Sequence, residues 1–189
     1  MRVYEGKPKR IRKGEAVLVV VDLQERLIPA MREGASAVAE AAKLIRGFEA
    51  AGCPVLVTQQ YTKGLGETVP EIKEAFASFS HIEKSAFSAM GEPGFADALG
   101  RTGKKAVVLC GVEAHVCVLQ SALDMLEAGY DVFLAVDAVS SRKERDEKPA
   151  IKRMLHSGVL PTTAESVLFE LLDNDSKSET FKTISKLIK

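Results

Sequence analysis

The segment AVLVVVDL (16–23) is an almost unbroken apolar run rich in valine, the pattern of a strand buried on both faces. The spacing then changes. Val38, Ala42, Ile45 and Phe48 fall on one helical stripe that stops at Gly52, with Pro54 just beyond. CPVLVT (53–58) predicts a second buried strand and KAVVLCGV (105–112) another. Val116, Leu119, Leu123 and Leu126 mark a helix ending at Gly129, and DVFLAVDAV is the next strand. A charged helix carrying Ile151, Met154 and Leu155 stops at Gly158, and VLPTT opens a further strand. Thr162 and Glu165 have capping-box spacing ahead of SVLFELL, and TFKTISKLIK is a last amphipathic segment. Between 59 and 103 the pattern is punctuated by glycine and proline. It suggests a short helix near 70–79, a short strand near 81–87 and a helix near 95–99.

Strand and helix alternating in this way predict an α/β domain, with a mostly parallel sheet covered on both faces. Active sites of such sheets collect outside the carboxyl ends of the strands, so candidate chemistry is sought there.

Composition narrows the classes. A length of 189 residues suits one domain, spanning 1–189, and 46% hydrophobic with 28% charged residues is ordinary for a soluble protein. The net charge is zero, so no global field draws the chain to nucleic acid or to a membrane surface. Three scattered cysteines form no disulfide framework, and the three histidines lack zinc-site spacing. A reducing, cytoplasmic compartment is the simplest expectation. Residues 1–14 hold six basic residues against one acidic. No signal-peptide apolar stretch follows them, and run 16–21 is too short to span a membrane. Of a transit peptide, a nucleic-acid arm and a solvated tail, the Glu5, Gly6 and Pro8 content favours the tail.

Asp22 ends the first strand, where a carboxylate is partly desolvated and faces the cleft; taken alone, it reads equally as a turn-former or helix cap. Cys117 falls in the first turn after the strand at 105–112, where backbone N–H groups and the helix dipole favour a thiolate. The same groups suit an oxyanion. A buried small hydrophobe is the alternative, and it fits Cys53 and Cys110 better. Lys84, in HIEKSAF, is a possible partner for both, or simply a surface lysine. His115 lies two residues before Cys117, a spacing that points to different helix faces and disfavours a direct dyad.

VVVDLQERL, EKSAFSAM and GVEAHVCVLQSALDMLEAGYDVFLAVDAVSSR together resemble the isochorismatase-like cysteine hydrolases, specifically the isochorismatase domain-containing branch. The resemblance runs from Glu15 to about Leu187. It implies a three-layer α/β/α Rossmann-like sandwich around a six-stranded sheet, and an Asp-Lys-Cys triad at Asp22, Lys84 and Cys117. It further implies a cis non-proline peptide at Val112–Glu113 and an oxyanion hole from the N–H groups of Glu113 and Cys117. A homo-oligomer, dimer or tetramer, is implied as well.

Two departures narrow the substrate. Nicotinamidases of this superfamily bind a metal through an Asp-x-His element after the second strand, whereas TQQYTKGLG (58–66) has neither residue. No metal and no other cofactor is therefore expected. Siderophore-pathway isochorismatases typically lack the cysteine, so Cys117 argues against isochorismate as substrate. Gln24, Gln59, Gln60, Tyr61 and His115 are candidates to line the pocket, against ordinary loop polarity as the alternative. The expectation is a hydrolase acting on a small amide or related carbonyl compound through a thioester-type intermediate. The competing classes are a catalytically silent binding protein and thiol redox chemistry at Cys117, for which no resolving cysteine lies nearby.

Overall fold

The computed structural model describes residues 9–173 and 177–188. Six strands form one sheet: β1 (Ala16–Val21), β2 (Val55–Gln60), β3 (Ile82–Lys84), β4 (Ala106–Val112), β5 (Asp131–Ser140) and β6 (Leu160–Thr162). Their order is β3-β2-β1-β4-β5-β6 and every pairing is parallel. The helices are α1 (Gly34–Ala50), α2 (Thr62–Leu65), α3 (Pro70–Lys73), α4 (Pro93–Arg101), α5 (Leu119–Glu127), α6 (Glu144–Ser157), α7 (Ala164–Leu171) and α8 (Glu179–Leu187). This is the three-layer α/β/α arrangement that the strand–helix alternation predicts.

β1 and β4 lie centrally and are buried at every position, which is why their sequences are apolar without alternation. The two faces divide by parity. Ala16, Leu18 and Val20 pack with Leu44, Ile45 and Phe48 of α1, Val167, Leu168 and Leu171 of α7, and Ile184 of α8. Val17, Val19 and Val21 pack with Phe95 and Leu99 of α4, Ala122 and Met125 of α5, and Met154 of α6. Removing one of these side chains, such as Leu18→Ala, costs about 2–5 kcal/mol by the usual scale of core truncations.

Three local expectations are corrected. The helix expected near 70–79 is a single turn, Pro70–Lys73. Beyond it, Ala77 N–H donates to Glu49 Oε2 at 3.1 Å and the Phe76 and Phe79 rings meet edge-on at 5.6 Å. Tertiary contacts outcompete a weak local preference there. The cap of α7 is Thr163, not Thr162: its hydroxyl accepts from Ser166 N–H. A solvated tail does not describe all of 1–14. Ile11 is fully buried, its N–H donates to Glu170 Oε2 at 2.7 Å, and Lys9 pairs with Asp131 at 2.9 Å. Residues 1–8 of that segment lie outside the described residues. Among the described residues no helix is long and apolar enough to cross a membrane.

Candidate functional site

The strand order reverses at one place. The chain lays β2 and β3 outward from β1, then returns to start β4 on β1's other side. Connections on the two sides part above the carboxyl ends of β1 and β4, leaving the crevice where parallel sheets hold ligands. Asp22 follows β1 and the turn holding Cys117 follows β4, so both border that crevice.

The two strand ends approach closely because of Gly111. It pairs with Val21 at φ +117°, and a Cβ there would overlap the Val21 carbonyl oxygen. Only glycine fits both the angle and the gap. The next residue of β1's chain, Asp22, is left-handed at φ +52°, a region aspartate tolerates better than most residues. Its N–H donates to Thr58 O at 3.2 Å and its carbonyl accepts from Gln24 N–H at 2.8 Å, so the backbone at this turn is fixed.

Asp22 and Lys84 form a fully buried ion pair, Nζ to Oδ2 at 2.7 Å, with both side chains at zero exposure. The surface-lysine alternative is thereby excluded. Thr58 donates its hydroxyl to the other carboxylate oxygen, Oδ1, at 2.7 Å. Lys84 Nζ also donates to Gln60 Oε1 at 2.6 Å, Phe87 O at 3.1 Å and Ala86 O at 3.2 Å. A buried pair survives only when its remaining lone pairs and protons are matched in this way.

Cys117 occupies a wide turn, Ala114–Val118, in which Val118 N–H reaches back five residues to Glu113 O at 3.2 Å. This π-type turn stands where the sequence predicts an ordinary first helical turn. The Val112–Glu113 peptide just before it is cis, as the resemblance implies. The Cys117 thiol is buried beside Asp22 and Lys84. Burial first, and the Asp22 carboxylate second, push it up to about 12, while the Lys84 ammonium pulls it down. Burial and the neighbouring carboxylate act against the acidification expected from a helix N-terminus, and both favour the protonated thiol. Cys53 and Cys110 are buried free thiols also raised by burial, and neither faces a charged pair of this kind.

The pocket-lining candidates separate. Gln24 and Gln59 are fully buried and internally bonded. Gln24 donates to Gln60 O at 3.0 Å and Gly66 O at 2.8 Å, and accepts from Gln60 N–H at 2.7 Å. Gln59 accepts from the N–H and hydroxyl of Thr68 at 2.9 and 2.7 Å, and donates to Thr62 Oγ1 at 2.8 Å. Both tie the 61–69 loop to the sheet, and their amides are occupied. Gln60 serves Lys84. Tyr61 is 56% exposed, and His115 is half-buried with Nδ1 3.0 Å from Ser141 Oγ. Glu113 accepts from Arg142 Nε at 2.8 Å.

Sequence reasoning misses Thr58, and it misses Glu147, whose carboxylate accepts from Ser141 N–H at 2.8 Å and pairs with Arg32 at 3.2 Å. Thr58 carries one legible signal, a hydroxyl at the end of an apolar strand beside β1. Among the described residues no three His, Cys, Asp or Glu side chains gather into a group able to hold a metal.

The model of the isochorismatase domain matches residues 16–166. Isochorismatase domain-containing protein 2 of Danio rerio is 36% identical over 182 residues, covering 92% of this chain and 86% of that protein. Among solved structures, the MAR1 ribonuclease of Caenorhabditis elegans superposes with a TM-score of 0.88 at 39% identity, over 95% of this chain and 92% of that one. YcaC of Escherichia coli, an octameric hydrolase of unknown specificity, gives 0.89 at 28% identity over 97% and 91%. YcaC of Pseudomonas aeruginosa, solved with a covalent acrylamide, gives 0.89 at 28% identity over 97% and 93%. With the family model matching residues 16–166 and curated relatives about 36% identical over most of both chains, the chain belongs to the isochorismatase family, in the branch of the isochorismatase domain-containing proteins.

Proposed function

We propose that the protein is a cysteine hydrolase of small amides or related carbonyl compounds, with Cys117 as nucleophile, Asp22 as general base and Lys84 as fixed cation. One observation carries the reading: a fully buried Asp22–Lys84 pair at 2.7 Å stands beside a free thiol at the crevice of the sheet. Burying two charges is costly, and functional sites are where such perturbed groups concentrate. The covalent acrylamide on the Pseudomonas aeruginosa relative is in keeping with a reactive centre in this family.

The resting thiol dictates the order of events. Asp22 removes the Cys117 proton as Sγ attacks the carbonyl carbon, and the carbonyl electron pair moves to oxygen. The N–H groups of Glu113 and Cys117 receive that oxyanion. Collapse expels the amine, which takes the proton from Asp22 and leaves a thioester on Cys117. Water then attacks with Asp22 again as base, releasing the carboxylic acid and restoring the thiol. Lys84 stays an ammonium throughout, offsetting negative charge on sulfur and oxygen. Polar side chains such as those of Tyr61 and His115 contact the substrate.

A panel of small amides and esters, with mass detection of an acyl adduct on the Cys117 peptide, tests the proposal. Turnover that survives Cys117→Ala, or turnover with no adduct trapped on that peptide, defeats it. In solution the chain assembles as a homo-oligomer, as the octameric Escherichia coli relative does; a monomer by light scattering contradicts this. A second reading is favoured by one finding, the 39% identity to a protein called a ribonuclease. Cleavage of single-stranded RNA that is lost in Cys117→Ala supports that reading over the amidase; intact RNA with amide turnover excludes it.

A further inference from the structure

Lys84 meets four oxygen acceptors with three N–H groups: Asp22 Oδ2, Gln60 Oε1 and the carbonyls of Ala86 and Phe87. Only one of the oxygen partners is charged. The shortest contact, 2.6 Å, is to the neutral amide of Gln60. A carboxylate would make that bond stronger, and glutamate is the same size, so the neutrality of this partner has consequences.

The amide is also locked. Gln60 Nε2 donates to Ser85 O at 2.9 Å, and a flipped amide would set NH2 against the ammonium. Its backbone N–H and carbonyl are both held by Gln24. Thr58, two residues earlier on the same face of β2, holds Asp22 in the same manner. One strand thus grips both charged members from one side. The titratable groups facing the ammonium are Asp22 from the β1 end and Cys117 from the β4 turn. On its own strand, the Glu83 carboxylate is turned away to Thr62 N–H at 2.9 Å.

We infer that Gln60 is a positioning residue whose task is to satisfy the Lys84 ammonium without neutralising it. The inference rests on the triad reading above. With one carboxylate on Lys84, proton transfer from Cys117 to Asp22 leaves the cation uncompensated at the moment negative charge appears on sulfur. A second carboxylate at position 60 would keep the cation compensated and withdraw that support.

The test is the pH–rate profile of Cys117 carboxamidomethylation by iodoacetamide in the purified full chain, mapped by peptide mass. Gln60→Glu keeps the size and the acceptor but adds a negative charge on the Lys84 ammonium; labelling at pH 9 falls about 10-fold or more, by the usual shift of about one to three pK units from a nearby like charge. Gln60→Glu combined with Asp22→Asn returns one carboxylate to Lys84 and restores the rate to within about threefold of the parent on the same scale. A purely structural role for Gln60 lowers the melting temperature without moving the profile. Unchanged or faster labelling in Gln60→Glu overturns the inference, and so does failure of the double variant to recover while folded. Lys84→Met is the separate control. If it too leaves labelling unchanged, the triad reading itself falls, and the assignment of Gln60 with it; if only the position-60 variants are silent, Gln60 alone is misassigned.

Discussion

Replacing Asp22 by Asn removes the base of the proposed mechanism, yet it should make Cys117 more reactive toward a simple alkylating agent. The reason lies in the sign of each neighbour. Burial and the Asp22 carboxylate raise the thiol to about 12, and Lys84 alone opposes them. Asn is isosteric: its Oδ1 still accepts from Lys84, and the Thr58 hydroxyl, now a donor to Oδ1, can reverse and accept from Nδ2. A like charge at such range shifts a pKa by about one to three units, so the thiol of Asp22→Asn should titrate about one to three units lower. Because the burial contribution remains, it should not reach the value of about 8.5 of a free thiol. At pH 8 the thiolate fraction, and the iodoacetamide labelling rate with it, rises about tenfold to a thousandfold by the same shift. Lys84→Met removes the only opposing charge and slows labelling about tenfold or more. Rates between pH 7 and 10, read by peptide mass with Cys53 and Cys110 as internal controls and thermal melts confirming the fold, decide the matter. On the proposed mechanism, hydrolytic turnover should be abolished in both variants. Should Asp22→Asn slow labelling as strongly as Lys84→Met, the electrostatic reasoning is refuted, and Asp22 must instead create the thiolate directly.

Three further outcomes follow from the geometry. Gly111→Ala places a Cβ into the Val21 carbonyl at φ +117°, and urea denaturation should show a loss of about 2–5 kcal/mol from combined overlap and backbone strain. Ile11→Ala, which would be silent in a solvated tail, should cost about 2–5 kcal/mol in the same assay because the side chain is fully buried. The Cys117 thiol carries a pH signature. Its folded value of about 12 lies above the unfolded one, so its stabilisation is complete below the unfolded pKa and disappears as pH rises toward the folded value. Between pH 8 and 10 the stability of the parent relative to Cys117→Ala should therefore fall by at most about 2 kcal/mol; a flat difference would show that the thiol is not buried as described.

Much of this protein was decided locally. The apolar runs of β1 and β4 exclude every exposed position, and the stripe Val38, Ala42, Ile45, Phe48 has only one helical face, so the α/β layering follows from side-chain periodicity. Asp22 and Cys117 were legible for the same reason, since a polar or reactive residue at the end of a buried parallel strand stands out against its neighbours. Lys84 was legible only through a family resemblance, because its surroundings in HIEKSAF are those of many surface lysines.

What the tertiary structure alone decided concerns groups far apart along the chain. Thr58 and Gln60 became partners of Asp22 and Lys84 because β2 lies beside β1 on one flank and β3 on the other. Gln24 and Gln59, which as sequence suggested ligand contacts, became internal ties once burial left their amides no other partners than the backbone and the 61–69 loop. Ile11 left the basic tail for the core because the sheet and α7 offer it an apolar site. The state of Cys117 depended on tertiary structure most of all. A helix terminus is a local feature and argues for a thiolate, whereas desolvation and an anion brought from the end of another strand are non-local and push the thiol the other way.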